Sequence, residues 1–149
     1  MSAMSARTFV DSNVFLYAAE KRDIEKSEQA GLWLRHLLAS GTGVANLQVM
    51  NEITNVLIKR GRMEPETVFT IVDGFSAFGM SSINVETIAA ARLLHFQFGY
   101  SWWDCVLLAS AIEMQCRYFL SEDMQDGHQI HGLTIISPFR HSPPQIALH

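Results

Sequence analysis

The sequence predicts one α/β domain of three layers, α/β/α, in which helices cover both faces of a mostly parallel central β-sheet. The chain has 149 residues, the size of one domain, and 48% of them are hydrophobic, which suffices for a substantial core. Short apolar segments that suit buried strands alternate with segments whose apolar residues recur at helical spacing. We therefore predict a single domain over residues 1–140 and a flexible C-terminal tail at residues 141–149.

The first predicted elements are a strand at residues 7–11 and a helix from about Val14, for which Asp11 is a possible N-cap. Residues 30–38 place their apolar side chains on one helical face, and two glycines then end this helix. A second strand is predicted at residues 44–46. This order of strand, helix and strand is typical of a parallel sheet.

The rest of the chain continues the alternation. Residues 49–57 show helical spacing up to Gly61, and Pro65 suits the first turn of another helix that reaches Phe75. Residues 82–85 alternate as in a strand. The remaining predicted elements are helices at 86–99 and 104–114 and strands at 118–121 and 133–136. Sheets of this kind bind ligands at the carboxyl ends of their strands, so polar residues there become candidates for function.

The charge balance and the cysteines exclude several classes of protein. Eleven Lys and Arg against fifteen Asp and Glu give a net charge of −4, which disfavours a polybasic nucleic-acid binder. Cys105 and Cys116 lie in one apolar stretch without metal-binding spacing, so we expect buried, reduced thiols. The N-terminus lacks the apolar core of a signal peptide, and no stretch approaches ~18 consecutive apolar residues. We therefore expect a cytoplasmic protein without membrane contact.

Four acids occupy positions that a core would not require. Asp11 ends the first predicted strand and Asp123 comes just after a later one. Asp104 precedes the apolar stripe of its helix, and Glu52 flanks a buried helical face. Each has an ordinary explanation by itself, as a helix cap, a residue favoured by the helix dipole, a turn residue or a solvated side chain. Together they can converge on one edge of a parallel sheet.

Such a cluster predicts a divalent cation, because buried like charges disfavour joint ionisation unless a cation compensates them. Oxygen ligands without His or Cys suit one or two Mg²⁺ or Mn²⁺ ions better than zinc. Bound ions would activate water and hold a phosphodiester for in-line attack. Asn13 and Ser121 are candidates for orienting the ligands. Asp126 is a further candidate, although its position before Gly127 suits a turn better.

Four segments in order resemble motifs of the PIN domain family, and the resemblance extends from about Thr8 to Phe139. The segments are Phe9–Tyr17, Gln48–Val56, Ser101–Ala111 and Phe119–Gly127. The last, followed by the segment at residues 135–139, resembles the final strand pair of the VapC-type toxins.

This resemblance implies a PIN-like nuclease domain that acts as an Mg²⁺- or Mn²⁺-dependent endoribonuclease. It further implies the toxin of a toxin–antitoxin pair, a homodimer inhibited by a cognate antitoxin that often lays a segment into the active-site groove. RNA would be cleaved by metal-activated water. The family's metal-binding and catalytic acids correspond to Asp11, Glu52, Asp104 and Asp123, and its Asn and Ser/Thr positions correspond to Asn13 and Ser121.

Other functions remain open. An inactive PIN-like binding module would carry the same motifs. Acid-pocket phosphoryl-transfer proteins are less well matched, because dehalogenase-type phosphatases need a second acid where Asn13 stands, and both they and response regulators need a late Lys. For RNA binding, the basic residues just past the Glu52 helix could reach phosphates, or could simply be a solvated helix end. These candidates are Lys59, Arg60 and Arg62.

Overall fold

Five short strands form one sheet at the centre of the computed structural model, which describes residues 6–143. They are β1 (Thr8–Val10), β2 (Gly43–Val44), β3 (Tyr118–Leu120), β4 (Gln129–Ile130) and β5 (Leu133–Ile136). The strand order is β2-β1-β3-β5-β4, and all neighbours are parallel except β4, which pairs antiparallel with β5. The predicted three-layer α/β/α fold with a mostly parallel sheet is confirmed.

Six α-helices of the described residues surround the sheet. They are α1 (Ser12–Glu20), α2 (Ile24–Ser40), α3 (Leu47–Arg60), α4 (Pro65–Phe75), α5 (Val85–Phe98) and α6 (Trp102–Glu113). A short 3-10 turn, Ser76–Phe78, follows α4. No helix within residues 6–143 is both long and apolar enough to cross a bilayer.

The order of the strands creates a switch point beside β1. The chain runs from β1 through α1 and α2 to β2 on one side, and then through four helices to β3 on the other side of β1. Right-handed crossovers in opposite directions place helices on both faces of the sheet. In the parallel ladder Val10 is level with Leu120, so the residues that follow β1 and β3 lie at the same edge. Ligands bind at such edges in open α/β sheets.

The core is centred on β1, β3 and α6. Phe9 and Phe119 are fully buried on neighbouring strands, and their rings stack with centroids 5.3 Å apart. All residues from Cys105 to Ala111 are buried, so α6 is covered on every side. Cys105 and Cys116 are buried free thiols, as predicted.

Two predicted strands need correction. Residues 82–85 do not form a strand, because the Asn84 side chain accepts a hydrogen bond from the N–H of Thr87 and caps α5, which begins at Val85. The strand predicted at residues 44–46 lies at Gly43–Val44 instead, because Asn46 caps α3. Gly43 is needed there, since a Cβ atom would lie 2.6 Å from the Phe78 ring.

The C-terminal hairpin was not predicted. Strands β4 and β5 are joined by His131 and Gly132, with φ angles of 49° and 85°, which is typical of a tight hairpin turn. The carbonyl of His141 accepts a hydrogen bond from Trp33 Nε1 at 3.0 Å. Residues 144–149 lie outside the described residues, so the flexible tail stays a prediction.

Candidate active site

Asp11 lies at the switch point and is buried, with 4% of its surface exposed. Its backbone N–H donates to the carbonyl of Leu120, which fixes the position of the residue at the end of the β1–β3 ladder. Its Oδ1 accepts a hydrogen bond from the N–H of Ser12 at 2.7 Å, so Asp11 is also the N-cap of α1. Asp11 can therefore be both the N-cap of α1 and a member of the candidate acid site.

Asn13 and Ser121 join Asp11 to Asp123. The hydroxyl of Ser121, which is fully buried directly after β3, donates to Asp11 Oδ2 at 2.8 Å. The amide nitrogen of Asn13 lies 3.3 Å from Asp11 Oδ2, 3.2 Å from Ser121 Oγ and 3.0 Å from Asp123 Oδ2. The ends of β1 and β3 thus carry one hydrogen-bonded network that holds two acids at fixed positions.

Glu52 and Asp104 approach this network from two helices. Glu52 is half-buried on α3 and accepts a hydrogen bond from Gln48 at 3.2 Å. Asp104 is half-buried in the first turn of α6, where its backbone N–H donates to Ser101 Oγ, the N-cap, at 3.2 Å. This burial is compatible with the position that the sequence predicts for Asp104, directly before the apolar stripe of its helix.

The pKa values of three of these acids are raised. Burial raises the pKa of Asp11 to about 7, the hydrogen bonds from Ser121 and Ser12 oppose this, and the charges of Asp104 and Glu52 add to it. Burial also raises the pKa of Glu52, and the charge of Asp104 contributes. The pKa of Asp104 is raised by burial and then by the charge of Asp123. The four acids therefore act on one another electrostatically.

The four acids offer oxygen donors of the type that a hard cation prefers, but they do not form a closed metal cage. Among residues 6–143, no three or more His, Cys, Asp and Glu side chains are grouped closely enough to hold an ion. Mg²⁺ commonly keeps several waters and uses only one or two protein carboxylates. A cation near these carboxyl groups would compensate the mutual charge that contributes to their raised pKa values.

Two of the three predicted basic residues lie beside Glu20, an acid at the end of α1. Lys59 is exposed at the end of α3, whereas Arg60 forms an ion pair with Glu20 and Arg62 NH1 lies 3.3 Å from the same carboxylate. A groove of about 480 Å³ runs along α1 from Asn13 to Glu20 and Arg60. The groove therefore connects the acid network with part of the basic cluster.

Asp126 has partners outside the acid network. Its Oδ1 accepts hydrogen bonds from the N–H of Ser137 at 2.7 Å and from His141 Nε2 at 3.0 Å. Partial burial raises the pKa of Asp126, but the Ser137 and His141 hydrogen bonds and the His141 and Arg140 charges outweigh it, so the pKa is lowered. These contacts join Asp126 to the segment after β5 rather than to the acid network.

Two contacts near the site were not predicted. Lys26 on α2 forms an ion pair with Glu122, which lies between Ser121 and Asp123. The hydroxyl of Tyr100 lies 2.6 Å from His128 Nδ1. The sequence could have drawn attention to Glu122, because it lies between two candidate site residues. Nothing in the sequence identifies Lys26 as its partner.

The fold and the acid cluster at the β1–β3 switch point define a class of α/β/α domains with an acidic site at a sheet edge. The profile of the PIN domain matches residues 8–125, and the chain belongs to this family. No curated protein matches the sequence.

Solved structures show the same fold. A toxin–antitoxin complex from Klebsiella pneumoniae contains a chain with a TM-score of 0.65 and 17% identity, over 88% of this chain and 97% of that one. VapBC2 from Rickettsia felis, bound to a DNA fragment from its promoter, gives a TM-score of 0.65 and 15% identity, over 87% and 97%.

Proposed function

We propose that this protein is a metal-dependent endoribonuclease of the VapC type, the toxin of a toxin–antitoxin pair. The observation that carries the proposal is the buried carboxyl of Asp11, which is hydrogen-bonded at the sheet switch point and surrounded by the charges of further acids. A bound cation would compensate the charge of such a carboxylate and favour its ionised form. Membership of the PIN family and the likeness to chains of toxin–antitoxin complexes support the assignment.

Asp11 and Asp104 are the proposed first ligands of Mg²⁺ or Mn²⁺, and Glu52 and Asp123 would complete the site directly or through water. One or two ions are compatible with this set of oxygen donors. A bound ion would lower the pKa of water and stabilise charge that develops on the phosphodiester oxygens.

Asn13 and Ser121 would orient the acids. The Ser12 N–H and the Ser121 hydroxyl each donate to one oxygen of Asp11, so the plane of this carboxylate is fixed. The Asn13 amide contacts both Asp11 and Asp123, which sets the distance between them. Pre-orientation of this kind lowers the cost of placing a substrate phosphate at the site.

RNA would approach along the groove beside α1. Lys59, Arg60 and Arg62 are the proposed phosphate contacts, and the ion pairs of both arginines with Glu20 limit their free charge. Because Glu20 partly neutralises the two arginines and the whole chain has a net charge of −4, we expect RNA binding to be modest and confined to this groove.

An antitoxin and a second copy of the chain are the proposed protein partners in the cytoplasm. The named solved structures are toxin–antitoxin complexes, which supports the first. Three apolar side chains on one face of α5 support the second, because Val85, Leu93 and Phe96 are 80%, 70% and 88% exposed.

A second candidate is a PIN-like interaction module without catalysis. Both arginines of the basic cluster are paired with Glu20 and therefore offer less free charge to RNA. This observation favours the second candidate, and cleavage assays separate the two.

The decisive experiment is RNA cleavage by the purified chain with Mg²⁺ or Mn²⁺ and with EDTA. We expect cleavage by wild type with either metal, and none by Asp11→Asn or Asp104→Asn. Asp73→Asn, which removes an exposed acid from α4, is the matched control and should cleave as wild type does. Expression in cells with and without the neighbouring reading frame, with RNA ends mapped, tests toxicity and the antitoxin. Absence of metal-dependent cleavage, or an active Asp104→Asn, would contradict the proposal.

A further inference from the structure

Lys26 belongs to none of the sequence motifs, yet it contacts the segment that carries Asp123. We infer that Lys26 is a positioning residue: its ammonium group holds Glu122 and thereby fixes the Ser121–Asp123 segment against α1. The inference rests on the proposed function, because it assigns to Lys26 a role in placing one of the proposed metal ligands.

The position of Lys26 is unusual for a cation. It lies in the first turn of α2, where its backbone N–H donates to Asp23 Oδ1 of the N-cap at 3.1 Å. Positive charge in the first turn of a helix is disfavoured by the helix dipole. The carboxylate of Glu122 offsets this unfavourable interaction, because it forms an ion pair with Lys26.

Aromatic rings restrict the Lys26 side chain. Its Nζ lies 5.2 Å from the ring centroid of Tyr17 and 5.1 Å from that of Phe139, and these two rings contact each other edge to face. Its Nζ also lies 3.5 Å from the Tyr17 hydroxyl. Only 35% of the Lys26 side chain and 26% of the Glu122 side chain are exposed. The pair is therefore more enclosed than an ordinary surface ion pair, which contributes little to stability.

The segment after β3 is held from two sides. On the α1 side, Asn13 Oδ1 accepts the N–H of Glu122 at 3.3 Å, and Asn13 Nδ2 donates to Asp123 Oδ2 at 3.0 Å. Within the segment, the N–H of Asp123 donates to Ser121 Oγ at 3.2 Å. On the α2 side, Lys26 holds the carboxylate of Glu122. The Lys26 contact thus completes the attachment of three consecutive residues, two of which belong to the acid network.

Loss of the Lys26 charge should have two consequences. Glu122 would lose the partner that fixes its side chain, so its neighbours Ser121 and Asp123 would become more mobile. The carboxylate of Glu122 would also be left uncompensated beside Asp123, which adds repulsion to a region that already holds several acids. Both effects act on the metal site, whereas a lysine that simply bound RNA would act on substrate affinity.

The test compares Lys26→Met, which keeps the aliphatic contacts with the rings, with Lys26→Arg, which keeps the charge. Lys21→Met is the matched control, because it removes an exposed lysine from the short connection between α1 and α2. In Lys26→Met we expect about tenfold weaker Mn²⁺ binding by titration and about tenfold lower kcat, with an unchanged KM for RNA, by analogy with other groups that orient metal ligands. Lys26→Arg should restore both.

A readout without metal keeps the inference separate from the proposed function. Amide hydrogen exchange at Glu122 and Asp123 should be faster in metal-free Lys26→Met than in wild type or Lys21→Met. Glu122→Gln should reproduce this change, and the double variant Lys26→Met/Glu122→Gln should add little to it, because the two side chains act as one unit. If wild type neither binds Mn²⁺ nor cleaves RNA, the proposed function fails, and exchange still tests the positioning.

Two results would overturn the inference. In the first, exchange at Glu122 and Asp123 in Lys26→Met equals that in Lys21→Met. In the second, Lys26→Met raises the KM for RNA and reduces the salt dependence of RNA binding while kcat stays unchanged, which identifies Lys26 as a phosphate contact.

Discussion

Ionisation of Asp11 should make the metal-free protein less stable as the pH rises. In the unfolded chain this carboxyl has the ordinary pKa of 3.8, whereas burial raises the pKa in the folded protein to about 7. Between these values the folded state binds one proton more than the unfolded state, so the free energy of unfolding falls with increasing pH. The loss begins above the unfolded pKa and is complete above the folded pKa.

The magnitude follows from the two pKa values of Asp11. At roughly 1.4 kcal/mol for each pH unit, the interval from 3.8 to about 7 corresponds to about 4 kcal/mol. About 3 kcal/mol of this loss should occur between pH 5 and pH 8. The raised pKa values of Glu52 and Asp104 act in the same direction. The lowered pKa of Asp126 has the opposite sign, and its stabilisation is lost only as the pH falls below the ordinary Asp value.

Urea unfolding in EDTA at pH 5, 6, 7 and 8 measures this loss, with the fluorescence of the buried Trp33 as the signal. Asp11→Asn should show a much flatter pH profile than wild type. The variant also changes the hydrogen bonds with Ser12 and Ser121, so the slopes are compared rather than the absolute stabilities. Asp73→Asn should keep the wild-type slope. Parallel profiles of wild type and Asp11→Asn would refute the electrostatic reasoning.

Three further changes test other parts of the structure. Glu20→Gln should free the two arginines that Glu20 now pairs with, so RNA should bind more tightly and the salt dependence of log K should steepen by about 1, by fluorescence anisotropy. Asp104→Asn should abolish cleavage while the metal-free melting temperature stays the same or rises, because repulsion is relieved. Gly43→Ala should lower the unfolding free energy by about 1–3 kcal/mol in urea titrations, because its Cβ would overlap Phe78.

For each of these three variants, one result would contradict the prediction. Unchanged RNA affinity and salt dependence in Glu20→Gln would mean that the arginines do not face the RNA. A lower metal-free melting temperature in Asp104→Asn would show that this acid stabilises the fold. Gly43→Ala is compared with Gly74→Ala, whose added Cβ meets nothing within 4 Å, and equal stability of the two would contradict the predicted overlap.

The fold was largely predictable because helical spacing and buried strands leave a strong pattern in the sequence. The strand 133–136 was located with its observed ends, and Pro65 marked the start of α4. The four residues 82–85 were misinterpreted, because alternation over such a short stretch also arises when a cap residue such as Asn84 separates a half-buried Ile83 from an exposed Val85.

The site was only partly predictable. The position of Asp11 at the end of a strand marked it as a candidate. The position of Asp104 before the apolar stripe of its helix indicated that it points toward the sheet, because helical periodicity determines that direction. The ion pairs could not be predicted in this way. Lys26 and Glu122 lie 96 positions apart in the sequence, and Glu20 and Arg60 lie 40 positions apart. Contacts of that kind depend on which loops meet in three dimensions, and a single sequence carries no signal for them.

The parallel pairing of β1 with β3 has a consequence for synthesis of the chain. The hydroxyl that holds Asp11 comes from Ser121, 110 positions later in the sequence. A nascent chain that has been translated as far as Gly99 contains Asp11 and Glu52, but it lacks Asp104 and the strand that brings Ser121 to the site. Contacts of such high sequence separation also form late in folding. Translation itself therefore delays assembly of the acid network until nearly the whole domain has been made.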